Sequence, residues 1–212
     1  MRQSVIDGAP DMARELARQA LAGGVDPLEA VNQGFGAGIK FAGDQFGCGE
    51  MFLPDLLAAA EAMKAAISIL EPEMLKRGSQ REALGKIVLG TAKGDIHDIG
   101  KNLVGTILSA SGFQIFDLGT SVGPDQFVAK VKEVDADIVG VSALLTTTMA
   151  GQKAVIEALD RSGLRPRVKA IIGGAAVTPK WAAEIRADGY SRNAIDALAL
   201  ARNLVGKGTT PA

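Results

Sequence analysis

The sequence predicts an α/β protein in two parts: an N-terminal helical bundle over residues 1–80, then a doubly wound parallel sheet over residues 85–212. Three observations carry this expectation. Before residue 80, apolar residues recur at helical spacing. Beyond Leu84, short apolar runs alternate with helical stretches, the pattern of parallel strands joined by helices. Between them, Met74–Leu84 is polar and contains Gly78-Ser79-Gln80, which reads as a linker and hinge.

In the first part, Ala13, Leu16, Ala17, Ala20 and Leu21 form an apolar stripe that ends at Gly23-Gly24. Asp26-Pro27 opens the next helix with a capping carboxylate and a proline in the first turn. That helix runs through Val31, Phe35, Ile39 and Phe41. Its Gly34, Gly36 and Gly38 weaken it but allow neighbours to come close. Gly43–Glu50 reads as a break. Leu53-Pro54 opens a strong helix through Leu56, Met63, Ile67 and Leu70, with Pro72 near its end. A short helix before Pro10 makes four.

In the second part, strands are expected at Ile87–Thr91, Gln114–Leu118, Ile138–Ser142 and Val168–Ile172, with a weak fifth near Tyr190. Helices are expected at Gly100–Ala110, Asp125–Val134, Met149–Arg161, Pro179–Ala187 and Ala194–Val205, and Gly206–Ala212 reads as a frayed tail.

Composition narrows the function. A 47% hydrophobic and 22% charged chain is ordinary for a globular protein with a sizeable core. A net charge of −1 and 4% aromatics give no footprint for nucleic acid, and no apolar stretch is long enough to span a membrane. The N-terminus has no apolar signal core, and Cys48 is the only cysteine, so a cytoplasmic, reducing location is expected. One histidine and one cysteine cannot build a structural zinc site.

The chemistry collects at Gly94-Asp95-Ile96-His97-Asp98-Ile99-Gly100-Lys101-Asn102, which holds the only histidine and follows the first strand. A phosphate-binding loop fails on spacing: five residues separate the glycines, and Asn102 stands where Ser or Thr would hold magnesium. Two readings stay open. Asp98 caps a helix beside an ordinary loop histidine, or His97 is a metal ligand oriented by Asp95. An order of 2-1-3-4-5 would bring this loop to the same sheet edge as Ser142-Ala143-Leu144-Leu145-Thr146-Thr147-Thr148 and Gly173-Gly174. Taken singly, the hydroxyls read as helix caps and the glycines as a tight turn. Together they favour a long ligand lying across the sheet. A hydrolase is disfavoured: Cys48 lies far from any oriented base and no Gly-x-Ser-x-Gly elbow occurs.

The loop resembles the Asp-x-His-x-x-Gly signature of cobalamin-binding domains. Ser142-Ala143-Leu144 resembles their Ser-x-Leu motif, and Gly173-Gly174 their double glycine. Phe46-Gly47-Cys48-Gly49-Glu50-Met51-Phe52-Leu53-Pro54 resembles the cap bundle of the methionine synthase cobalamin module. The whole is similar to the methyltransferase corrinoid proteins, the methyl carriers of methylamine, methanol, betaine or aryl-ether demethylating systems. The resemblance implies a flavodoxin-like fold under a helical cap. It implies cobalamin (methylcobalamin or a related corrinoid) as cofactor, with His97 on the cobalt.

Further roles follow from the resemblance. Asp95 would hold His97, and Thr148 would extend that relay where methionine synthase has a serine, so that ligand release couples to a proton on the chain. Gly94, Ile96, Asp98, Ile99 and Gly100 would complete the loop under the corrinoid. Ser142 and Thr146 would contact the detached nucleotide tail, Leu144 would line its channel, and Gly173 and Gly174 would leave room for its base. Phe46 and Leu53 would sit over the methyl-carrying face. Arg186 stands where many relatives have glycine, which bears on the outer end of the tail pocket. The implied partners are a substrate-specific methyltransferase, a second methyltransferase serving a folate or thiol acceptor, and a reductive activation protein, with no nucleic acid and no membrane. The protein alone would not be catalytic. A cobalamin-binding sensor or a mutase small subunit is the alternative, disfavoured by the Phe46–Pro54 stretch and by the lack of a basic module.

Overall fold

A computed structural model describes residues 1–76 and 83–206. The chain divides into two compact units, Met1–Glu82 and Ala83–Ala212. The hinge expected at Gly78 lies outside the described residues, as does the tail beyond Gly206. No described helix is long and apolar enough to cross a membrane.

The first unit is helical. It comprises α1 (Arg2–Ile6), α2 (Pro10–Ala22), α3 (Pro27–Glu29), a π-helical segment (Ala30–Phe35), α4 (Gly36–Gly47) and α5 (Leu53–Lys76). Asp26 caps α3 as its sequence suggests, its Oδ1 accepting from Leu28 N and Glu29 N at 3.0 Å. α2 packs along α5. Phe35, Leu56, Met63 and Leu70 are fully buried. The glycine-rich stretch permits close packing: a Cβ on Gly38 would lie 2.6 Å from Arg2 O and 2.7 Å from Val5 Cβ, so α1 rests on α4 there. The wide π turn was not foreseen. It draws the N–H of Gly36 onto Val31 O, where a Cβ on residue 36 would come within 2.6 Å of that same oxygen.

Two expected boundaries are corrected. α4 continues through Gly43 to Gly47, so the break begins only at Cys48. Burial of Gly38 and Ala42 offsets the modest helical penalty of the glycines. α5 runs past Pro72 to Lys76, so the linker does not begin at Met74. Buried Leu70 and Met74 hold the helix on either side of the proline.

The second unit contains one five-stranded sheet with β1 (Lys86–Thr91), β2 (Gln114–Asp117), β3 (Ile138–Ser142), β4 (Lys169–Gly173) and β5 (Gly189–Ser191). Every pairing is parallel and the order is β2-β1-β3-β4-β5. This is the flavodoxin-like arrangement expected from the sequence. Its helices are α6 (Ile99–Ala110), α7 (Pro124–Val134), α8 (Met149–Arg161), α9 (Pro179–Glu184) and α10 (Ala194–Leu204). α6 and α10 pack together on one face, α7 and α8 on the other. The central strands are buried on both faces, which is why they read as continuous apolar runs. One core joins Val88, Val139, Ile156 and Ile172 with Phe127 and Leu159. Strand register places Thr91 beside Ser142 and Ser142 beside Gly173. The carboxyl ends of β1, β3 and β4 therefore finish level, and their three loops leave the same edge.

Candidate corrinoid site

Asp95 is the centre of the site. It is 1% exposed, and both carboxylate oxygens are occupied. Oδ1 accepts from His97 N at 3.0 Å and lies 2.7 Å from His97 Nδ1. Oδ2 accepts from Leu144 N and from the Thr148 hydroxyl, each at 2.7 Å. Burial pushes the carboxyl up, but the hydrogen bonds from His97 N–H, the Thr148 hydroxyl, the His97 ring and Leu144 N–H outweigh it and hold it well below the usual carboxylate range. Asp95 is therefore ionised at neutral pH and can only accept. That fixes the proton of neutral His97 on Nδ1 and leaves the Nε2 lone pair unused.

Two residues apart, Asp95 and His97 would share one side of an extended chain. The structure gives a different cause: residues 94–98 form an irregular loop, and His97 N–H closes a turn onto the Asp95 side chain two residues back. The loop is held from outside as well. The buried Thr91 hydroxyl donates to His97 O at 3.0 Å. Ser121 N donates to Asp95 O at 2.9 Å, and Ser121 Oγ accepts from Gly94 N at 3.1 Å. Sequence reasoning missed both residues. A hydroxyl inside the apolar run of β1 was the available signal for Thr91; nothing local marks Ser121.

The hydroxyl and aspartate caps expected here are not caps. Thr148 stands at the N-cap of α8 but makes no side-chain cap bond. Its hydroxyl lies 2.7 Å from Asp95 Oδ2 and 2.9 Å from Leu145 O, and the charged acceptor takes the single proton. Asp98 stands at the N-cap of α6, yet its Oδ2 accepts from the Asn102 side chain at 3.0 Å. Lys101, 5% exposed, is buried against Asp117 and Asn102.

Gly174 has φ +129°, and a Cβ there would lie 1.9 Å from Ala143 O. Gly174 is thus required by the approach of β4's end to β3's end, whatever it also admits, while a Cβ on Gly173 would lie 3.1 Å from Ser191 O of β5. Gly100 is the opposite case: it lies within α6, a Cβ would meet nothing within 4 Å, and no contact in the chain explains it. Ser142 is half-buried, and Leu144 and Thr146 are exposed. Phe46 is half-buried in α4 and Leu53 is exposed at the start of α5, both in the first unit. Arg186 requires a correction. It lies at the amino-terminal edge of the sheet, its carbonyl accepting from Arg165 and its guanidinium 3.4 Å from Asp160. The next residues pair Asp188 with Ala170 at the start of β4. Its φ of +58° lies in the left-handed region that favours glycine, so the demand at this position is one of backbone conformation.

These residues fit a large flat apolar ring with a metal at its centre. The His97 side chain is 49% exposed with one nitrogen to offer. Around it Ile96 (76%), Ile99 (86%), Leu144 (36%) and Leu145 (45%) are large apolar side chains left open to solvent at the same sheet edge. Among the described residues no cluster of three metal-binding side chains exists.

Comparison with known proteins agrees. Two B12 binding domain families match, one over residues 85–199 and the other over residues 1–71. A corrinoid protein of Desulfitobacterium hafniense is 48% identical, covering 98% of this chain and 96% of its own length. The chain belongs to the methyltransferase corrinoid proteins. Another relative of this corrinoid protein, trimethylamine corrinoid protein 2 of Methanosarcina mazei, is 48% identical over 93% of this chain and 91% of its own. The methanol:cobalamin methyltransferase complex of Methanosarcina barkeri contains a chain of the same fold. It has a TM-score of 0.88 and 28% identity, and the match covers 98% of the corrinoid protein and 79% of that chain.

Proposed function

We propose that this corrinoid protein carries a methyl group between two methyltransferases on a cobalamin-type cofactor, whose cobalt His97 Nε2 would hold. The observation that carries the reading is Asp95: a buried, fully bonded carboxylate whose arrangement leaves one histidine nitrogen free on an exposed apolar rim. The cofactor, when bound, supplies the metal centre that accepts and releases the methyl group. The chain supplies orientation and electrostatics. Asp95 holds the His97 tautomer and ring orientation, while Thr148 and Leu144 N keep Asp95 ionised and in place.

Residues 85–212 bind the corrinoid and residues 1–80 form its cap. Gly94, Ile96, Asp98, Ile99 and Gly100 floor the site. Ser142, Leu144, Thr146, Gly173 and Gly174 would hold the nucleotide tail, and Phe46 and Leu53 are the helical unit's candidates for contact with the cofactor. A methyltransferase partner is supported by the likeness to the methanol:cobalamin methyltransferase complex. The second methyltransferase, acting toward a folate or thiol acceptor, and a reductive activation protein complete the scheme. A cytoplasmic location fits the single free thiol of Cys48.

The test is reconstitution of the apoprotein with methylcobalamin beside a His97→Ala variant. The wild type is expected to bind with a histidine-ligated, tail-detached absorption spectrum and the variant to lose that signature. Identical spectra would remove His97 from the cobalt.

A further inference from the structure

We infer that Gln152 positions the double-glycine turn and thereby sets how strongly the protein prefers a corrinoid with a nucleotide tail over one without. The inference rests on the proposed seating of that tail at Ser142 and Gly173-Gly174. Gln152 is 0% exposed, an unusual setting for an amide on an ordinary amphipathic helix. Its whole hydrogen-bonding capacity is directed. Nε2 donates to Val141 O at 2.9 Å and to Gly173 O at 3.0 Å. Oε1 accepts from the Trp181 indole N–H at 3.0 Å. One amide therefore ties the carboxyl ends of β3 and β4 to α8 and α9.

The turn needs such an outside tie. Gly173, Gly174, Ala175 and Ala176 carry no side chain able to hydrogen-bond. Gly174 is in the positive-φ region, and Ala143 O lies where its side chain would begin, so only glycine fits there. Gly173 O is fixed twice, by Ala143 N at 3.1 Å and by Gln152. Gln152 also lies one helical turn beyond Thr148, on the same face of α8. One helix face thus holds Asp95 through a hydroxyl and the double glycine through an amide. No other residue type of this length offers two donors to two carbonyls and one acceptor to an indole.

The experiment measures the dissociation constants of cobalamin and of cobinamide, which lacks the nucleotide tail, by equilibrium dialysis against the full chain. Wild type, Gln152→Met and Trp181→Phe are compared. Wild type is expected to prefer cobalamin. Gln152→Met is expected to lose about tenfold of that preference, and Trp181→Phe about threefold, because it leaves the amide in place with one partner missing. A purely structural role would weaken both ligands alike, so an unchanged cobalamin-to-cobinamide ratio in the variants overturns the inference. If Gln152→Met does not fold, the ratio for Trp181→Phe decides alone. A wild type that binds both corrinoids equally also overturns it. A wild type that binds neither overturns the corrinoid-carrier reading beneath it.

Discussion

Asp95 concentrates more consequence than any other residue of the second unit. Asn at this position keeps the size but turns an amide N–H₂ toward donors that need an acceptor, Leu144 N and Thr148. Asp95→Asn is expected to lower stability by roughly 1–3 kcal/mol, the range for leaving buried donors unsatisfied, as read from urea denaturation of the apoprotein. Arg186 gives the opposite expectation. Its left-handed backbone is strained for a residue with a side chain, and its ion pair with Asp160 is mostly exposed. Arg186→Gly is expected to raise stability by roughly 0.5–1 kcal/mol without changing the corrinoid spectrum. The pairing of Asp95 with His97 was legible because the loop resembles a known signature, and the two side chains do meet at 2.7 Å. Ser121 and Gln152 were not, because a serine in a turn and a glutamine in a helix take their roles only from backbone atoms distant in sequence.

At the scale of elements, the glycines of the site separate by what surrounds them. Gly174→Ala places a methyl group 1.9 Å from a backbone oxygen and must push the ends of β3 and β4 apart. Its loss of stability is expected to exceed about 2 kcal/mol, the scale of strain at such positions, measured by thermal unfolding. Gly100→Ala meets open space within a helix. The apoprotein should be unharmed or gain up to about 0.5 kcal/mol, while cobalamin affinity falls. A Gly100→Ala protein with unchanged affinity would show that no ligand approaches α6 at that point. The strands were readable because burial on both faces makes them continuous apolar runs. Helix ends were less readable: α4 and α5 outlast Gly43 and Pro72 because tertiary burial outweighs local propensity, which spacing along the chain does not register.

At the scale of the molecule, the core that joins Val88, Val139, Val141, Ala170 and Ile172 is built from residues of the second unit. A chain beginning at Ala83 is expected to unfold cooperatively and still show the histidine-ligated cobalamin spectrum, judged by circular dichroism and absorption. A fragment that folds but binds no cobalamin would move part of the corrinoid site into residues 1–82. The two-unit plan was legible from the change of hydrophobic period near residue 85; the π turn at Ala30–Phe35 was not, since its glycines suit an ordinary helix contact equally well.

The sheet ends in short strands on both sides, four residues in β2 and three in β5. Unpaired backbone at a sheet border is where another chain can add itself, and here there is little of it. A concentrated solution of this protein should therefore resist edge-to-edge aggregation, so that light scattering of the apoprotein shows no growth of particles with concentration.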